Sequence, residues 1–235
     1  MDGLGDAEWV GSAGAPAFAM DGTGDAAWVG SGGTANYALL SSTIAAGPGT
    51  GPITSPMDTT GAALIVVAAV YYNLGATPTL TDSAGNTWNA TLSWLNGTTQ
   101  GRIQLFYTTS PITSSSHTFS LLGAGSFGTI IPMAFSKGTV SLFFSDTGGG
   151  VTQPGSQTGT TFNNLYITSI CDNVNGDISN AINQGFTIIH SAPFATGSNF
   201  GLATAILISN SAGPFNPTWS GGSGQSVCSL SVFDH

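Results

Sequence analysis

Reactive side chains are few in this sequence. Three histidines (His117, His190, His235), two cysteines (Cys171, Cys228), eleven carboxylates and two cations (Arg102, Lys137) are spread over 235 residues. The histidines are scattered, and no HExxH, CxxC or mixed Cys/His spacing that would hold zinc occurs. There is also no G-x-S-x-G elbow, P-loop or G-x-G-x-x-G turn. A Ser–His–Asp triad leaves no mark in spacing, so that one constellation stays open. The plainer reading makes His117 and His190 strand-end residues that hydrogen-bond locally. No catalytic residue and no cofactor is assigned, and the chain is expected not to be an enzyme.

Repeated spacing does occur at the start of the chain. DGLGDAEWVGS at 2–12 returns as DGTGDAAWVGS at 21–31, matching at nine of eleven positions with an offset of nineteen. Each copy is a Gly/Asp turn followed by a strand-like step. Paired carboxylates at Asp2 and Asp6, and again at Asp21 and Asp25, offer oxygen ligands of the kind calcium takes. The phrase DGTGDAAWVGSGG also resembles a fragment of the calcium-associated repeats of β-propeller and integrin-like proteins. The loop spacing D-x-[DN]-x-[DN]-G is absent, however, and the resemblance spans a dozen residues where a blade needs about forty. A solvated acidic turn is the plainer reading, so calcium is carried only as a candidate.

The apolar residues of this segment are Trp9, Val10, Phe18, Met20, Trp28 and Val29. A piece this short cannot bury enough surface to offset the ordering of its own backbone. Its core must lie elsewhere, on its own domain or on a neighbouring copy. Gly30, Gly32 and Gly33 form a hinge after it.

The elements that would position any site read as strands. Residues 60–72 (TGAALIVVAAVYY) form a continuous β-branched apolar run between Gly and Pro, expected as a central strand buried on both faces. Further strands are expected at 36–46, 77–81, 87–94, 102–109, 117–122, 129–136, 164–171, 186–190, 202–209 and 226–233. Residues 148–160 read as a Gly/Thr/Gln loop. Pro132 points to an edge or a bulge in its strand. No capped amphipathic helix is found. Ten or more short strands separated by turn residues indicate an all-β, Ig-like or jelly-roll-style sandwich. The boundary between arm and sandwich falls at 33/34.

Composition bounds the partners. Charged residues make up 6% of the chain, against about 25% in a typical soluble domain, and the net charge is −9. This charge argues strongly against nucleic acid as a partner and disfavours anionic membrane surfaces. The longest apolar run, 62–72, is about half of what spans a bilayer, so no membrane insertion is expected. No basic or apolar leader is visible at the start. A surface held in water by hydroxyls and amides suits an extracellular or cell-surface setting. A Cys171–Cys228 disulfide would suit such a compartment, and two separate buried thiols are the alternative. Sequons at Asn89 and Asn96 would accept glycans there. Trp88, Trp94 and Trp219 are candidates for a sugar-binding platform, against core packing for at least two of them.

From about residue 52 onward the chain resembles a widespread family of secreted β-sandwich domains with no assigned activity. TTGAALIVVAAVYYN, PTLTDSAGNTW, RIQLFYTTSPITSSSHTFSL, NPTWS and SVCSLSVF carry this likeness, which implies an Ig-like fold and no chemistry. In organisation, a sandwich preceded by a Gly-hinged strand-forming arm is similar to pilus and fibre subunits that polymerise by donor-strand exchange. That likeness implies identical subunits as partners, joined through residues 1–33 by β-augmentation. The alternative is a secreted carbohydrate- or surface-binding module, with surface glycans as partners.

Overall fold

The structure, a computed structural model, describes residues 17–20, 26–29, 37–48, 51–72, 78–95, 101–123, 127–136, 145–150, 152–160, 163–172, 181–221 and 226–233. No helix occurs among them. The chain divides into two compact units, Met1–Ala35 and Asn36–His235.

In the first unit, β1 (Ala17–Met20) and β2 (Ala26–Val29) form an antiparallel hairpin. The register sets Phe18 opposite Trp28 and Met20 opposite Ala26. The second repeat copy thus pairs with the segment between the copies. The first copy, with Trp9 and Val10, lies outside the described residues. So do Asp2, Asp6, Asp21, Asp25, Gly30, Gly32 and Gly33.

Among the described residues, the second unit holds sixteen further strands. In order they are β3 (Leu39–Ser42), β4 (Ala45–Gly47), β5 (Leu64–Tyr72), β6 (Thr79–Asp82), β7 (Asn89–Ala90), β8 (Trp94–Leu95), β9 (Gly101–Thr109) and β10 (Phe119–Leu122). Then come β11 (Gly128–Phe135), β12 (Ser145–Gly150), β13 (Asn164–Asp172), β14 (Ala181–Ile182), β15 (Thr187–Ala192), β16 (Gly201–Ser209), β17 (Trp219–Ser220) and β18 (Val227–Phe233). One large sheet has the order β3-β11-β5-β9-β7, with β4 on β11 and β8 on β9. The other runs β12-β18-β13-β16-β15. Neighbours in both are antiparallel.

Strand alternation divides the apolar residues among three cores. Leu64, Val66, Ala68 and Val70 of β5 meet Leu165 and Ile167 of β13 and Leu202 and Ile206 of β16 between the two sheets. The intervening residues Ile65, Val67, Ala69 and Tyr71 face outward, yet Met57, Leu80, Phe119 and Leu121 cover them. On the far side Tyr166, Ile170, Leu230 and Val232 are covered by Phe186 and Trp219. Both large sheets are therefore buried on both faces, which is why β5 reads as an unbroken apolar run rather than an alternating one.

Three local expectations are revised. Residues 87–94 are not one strand but the separate pieces β7 and β8. At the break, Thr91 Oγ1 accepts from the Leu105 amide (3.1 Å) while the Thr91 amide donates to the Leu105 carbonyl (2.9 Å). A side-chain hydroxyl here does the work of a ladder carbonyl. Within the expected loop at 148–160, residues 148–150 belong to β12, which pairs with β18. Pro132 lies in an internal strand, β11, rather than at an edge, two residues before an irregularity in the β11–β3 register. Its carbonyl accepts from the Thr43 amide (3.2 Å), so its missing donor faces the gap between β3 and β4. No ladder bond is lost there.

Candidate functional site

A hydroxyl–imidazole–carboxylate chain does assemble, and sequence reasoning did not pick out two of its members. Thr59 Oγ1 lies 2.9 Å from His117 Nδ1, and His117 Nε2 lies 2.9 Å from Asp82 Oδ1. A carboxylate only accepts, so Nε2 carries a proton. Phe119 stacks on the imidazole at 4.4 Å. Asp82 also receives Trp88 Nε1 (2.8 Å) and the amides of Ala84 (2.8 Å) and Asn86 (3.2 Å), so residues 82–88 wrap around one carboxylate. Burial pushes the Asp82 carboxyl up, but hydrogen bonds from His117, Trp88, Ala84 and Asn86 outweigh it and hold the group below its ordinary value.

This arrangement does not offer a nucleophile. Thr59 and His117 are fully buried. The Thr59 hydroxyl is further engaged by the Ser114 amide (3.0 Å) and carbonyl (3.1 Å). A substrate carbonyl has no route to Oγ1, and the chain works as a polar clamp. It ties the 51–63 segment, the β6–β7 turn and β10 onto the outer face of the first sheet.

His190 makes a second hydroxyl contact, 2.9 Å from Nε2 to Ser42 Oγ. It joins edge strand β15 of one sheet to edge strand β3 of the other. No carboxylate is bonded to His190 among the described residues, so no group of that kind orients the ring. His235 lies outside them.

The two cysteines are buried thiols with no disulfide between them. Register explains this. Cys171 pairs with Val227 and Ile170 with Cys228, a one-residue offset that sends the two side chains to opposite faces of the sheet. Cys171 enters the core between the sheets and Cys228 the outer one. Burial pushes both thiols up to about 12. Ellman's reagent should therefore read no thiol in the native protein and two after unfolding without reductant.

The tryptophans are less available for stacking on sugars than the sequence suggests. Trp219 is 1% exposed. Trp88 and Trp94 are half-buried against the cores. Asn89 is exposed and Asn96 lies outside the described residues. A cleft of about 350 Å³ beside Asn89 is lined by the polar Asn86, Thr87, Thr108, Thr109 and Ser110 and by the apolar Ile112, none of them charged. No cluster of three metal-ligating side chains is present among the described residues.

The remaining feature is the set of sheet edges. β3 and β4 are interrupted at Thr43 and Ile44. The ladder of β12 shifts between Gly148 and Gly150, and that of β15 between Ile188 and His190. The β7/β8 edge is broken at Thr91. Such irregularities are how natural sandwiches limit unwanted strand pairing. At the β7/β8 edge, Leu92 is 68% and Leu95 44% exposed. Buried beside them, Trp94 Nε1 and Arg102 Nε make no hydrogen bond. No protein-family model, curated protein or solved structure matches the chain.

Proposed function

We propose that the chain is a structural subunit of an extracellular, pilus-like fibre, an Ig-like sandwich that joins to its neighbours by donating a strand from its N-terminal arm. The observation that carries this reading is the division of the chain. Among the described residues, three apolar cores are built from Tyr37 onward, and the described part of the first unit is a hairpin of two four-residue strands. An isolated two-stranded hairpin is marginally stable at best. A second apolar strand sequence, at 7–10, precedes it. A segment of this kind gains stability by adding to a sheet that already exists. One arm donated head to tail is a heterologous contact, and when it does not close into a ring it propagates as a filament. The sparse charge of the sandwich suits close stacking of copies.

Amide hydrogen exchange across residues 1–33 tests the reading. In assembled material the arm amides exchange slowly, and in dilute subunits they exchange fast. Equal protection of the arm in a stable monodisperse monomer overturns it.

A second reading rests on the uncharged cleft beside Asn89, whose hydroxyl and amide lining suits a saccharide. Micromolar glycan binding that disappears on substitution of Thr108 and Thr109 favours that module over the fibre.

A further inference from the structure

We propose that the acceptor for the arm is the β7/β8 edge of a second copy, and that the donor is the first repeat copy, residues 2–12. The inference rests on the fibre reading and adds to it both members of the contact.

Three observations single out this edge. Every edge carries an irregularity, the Thr91 break of β7/β8 included, but the Ser42–His190 bond ties β3 to β15 on their side of the sandwich. Among the described residues, only at β7/β8 do exposed leucines coincide with unbonded buried donors. Leu92 and Leu95 stand out of the edge, and Trp94 Nε1 and Arg102 Nε lack acceptors. A buried donor without an acceptor costs about 1–3 kcal/mol, which a carboxylate brought to Arg102 relieves.

Register gives each donor its side. Trp94 pairs with Ile103 and Leu95 with Arg102. Trp94 and Ile103 belong with the core between the sheets. Arg102 pairs also with Tyr71 of the outer core, so it faces the other way. A strand added alongside alternates in the same manner.

The sequence 6–10, Asp-Ala-Glu-Trp-Val, matches this alternation. As a strand it sets Asp6, Glu8 and Val10 on one side and Ala7 and Trp9 on the other. Asp6 and Glu8 then lie on the side of Arg102 and Leu95, with Val10 beside them, and Trp9 lies on the Trp94 side. Charge supports the pairing. The arm carries five of the eleven carboxylates and no cation, while Arg102 and Lys137 both belong to the sandwich. In the second repeat copy Glu8 is replaced by Ala27, and that copy is already paired in the hairpin. The first copy is therefore the better donor.

The test uses the full chain made in a host that adds no glycans, since Asn89 lies on this edge. A benzophenone amino acid replaces Leu92 in one preparation and Leu40, exposed on β3, in another. Each is mixed with isotope-labelled wild-type chain, irradiated and mapped. The expected result is a heavy–light cross-link from position 92 to residues 2–12 and none from position 40. Capture of the arm at position 40, or of residues 34–235 at position 92, overturns the inference and leaves the fibre reading standing. Absence of any intermolecular product together with a monodisperse monomer overturns both. As a second readout, Arg102→Glu raises the critical concentration for assembly about tenfold or more. Combining it with Asp6→Arg and Glu8→Arg restores assembly, a rescue that a merely structural role for Arg102 would not give.

Discussion

Replacing Asp82 by alanine is expected to lower the unfolding free energy by about 3–5 kcal/mol, because it removes one partner of a buried charged network and strands the others. His117 Nε2, Trp88 Nε1 and the Ala84 and Asn86 amides all lose their acceptor at once. That loss is a large share of the roughly 5–15 kcal/mol that holds a domain folded. Asp82→Asn keeps the size and one acceptor oxygen, and it should fall between alanine and wild type. Urea unfolding at pH 7 measures both. The same site sets an acid limit. The folded Asp82 carboxyl titrates below its ordinary value of 3.8. Its contribution is therefore fully present above that value and is lost as pH falls through the lower folded one. Wild type should lose stability below about pH 4 more steeply than Asp82→Asn. Parallel acid curves for the two proteins would contradict the clamp.

Trp219→Ala carries the second large effect, about 3–5 kcal/mol for emptying a buried indole site. Trp219 is packed in the outer core over Tyr166, Ile170 and Leu230. Its Nε1 donates to Thr168 Oγ1 at 3.2 Å, while the Thr168 hydroxyl itself donates to the Ser229 carbonyl at 2.8 Å. The hydroxyl keeps that partner in the variant, so the cost is mainly one of packing. Trp219→Phe should recover more than half of it. If Trp219→Ala instead unfolds at the wild-type urea midpoint, the covering of this sheet face is not part of the stable core. Any loss of glycan binding in the alanine variant has to be read against its unfolding.

The parts of the fold legible in the sequence are those decided by local patterning. The run at 62–72 announced a strand covered on both sides, because no polar residue interrupts it. The strands at 102–109, 164–171 and 202–209 stood out for their length and β-branched content. What escaped is decided by tertiary partners. Thr91 breaks its strand because its hydroxyl meets Leu105, fourteen residues on, and nothing near Thr91 says so. Thr59, Asp82 and His117 converge from three segments, and only the folded turn at 82–88 gives Asp82 its ring of donors. The two cysteines show how much hangs on register. Shifting β18 by one residue against β13 would bring both to the same face. Their separation is a consequence of pairing that spacing does not encode.

For the arm, the sequence shows the duplicated segment and the acidic bias, the expected hinge lies outside the described residues, and the hairpin of β1 with β2 pairs the second copy. The central claim is that residues 1–33 join subunits. Electron microscopy of the full chain beside a chain lacking residues 1–33 tests it most directly. The shorter chain keeps every residue placed in the three cores, and its circular dichroism beside the full chain checks that it folds. The account predicts filaments from the full chain and compact single particles from the shorter one. The same compact particle from both, or filaments from both, would contradict it.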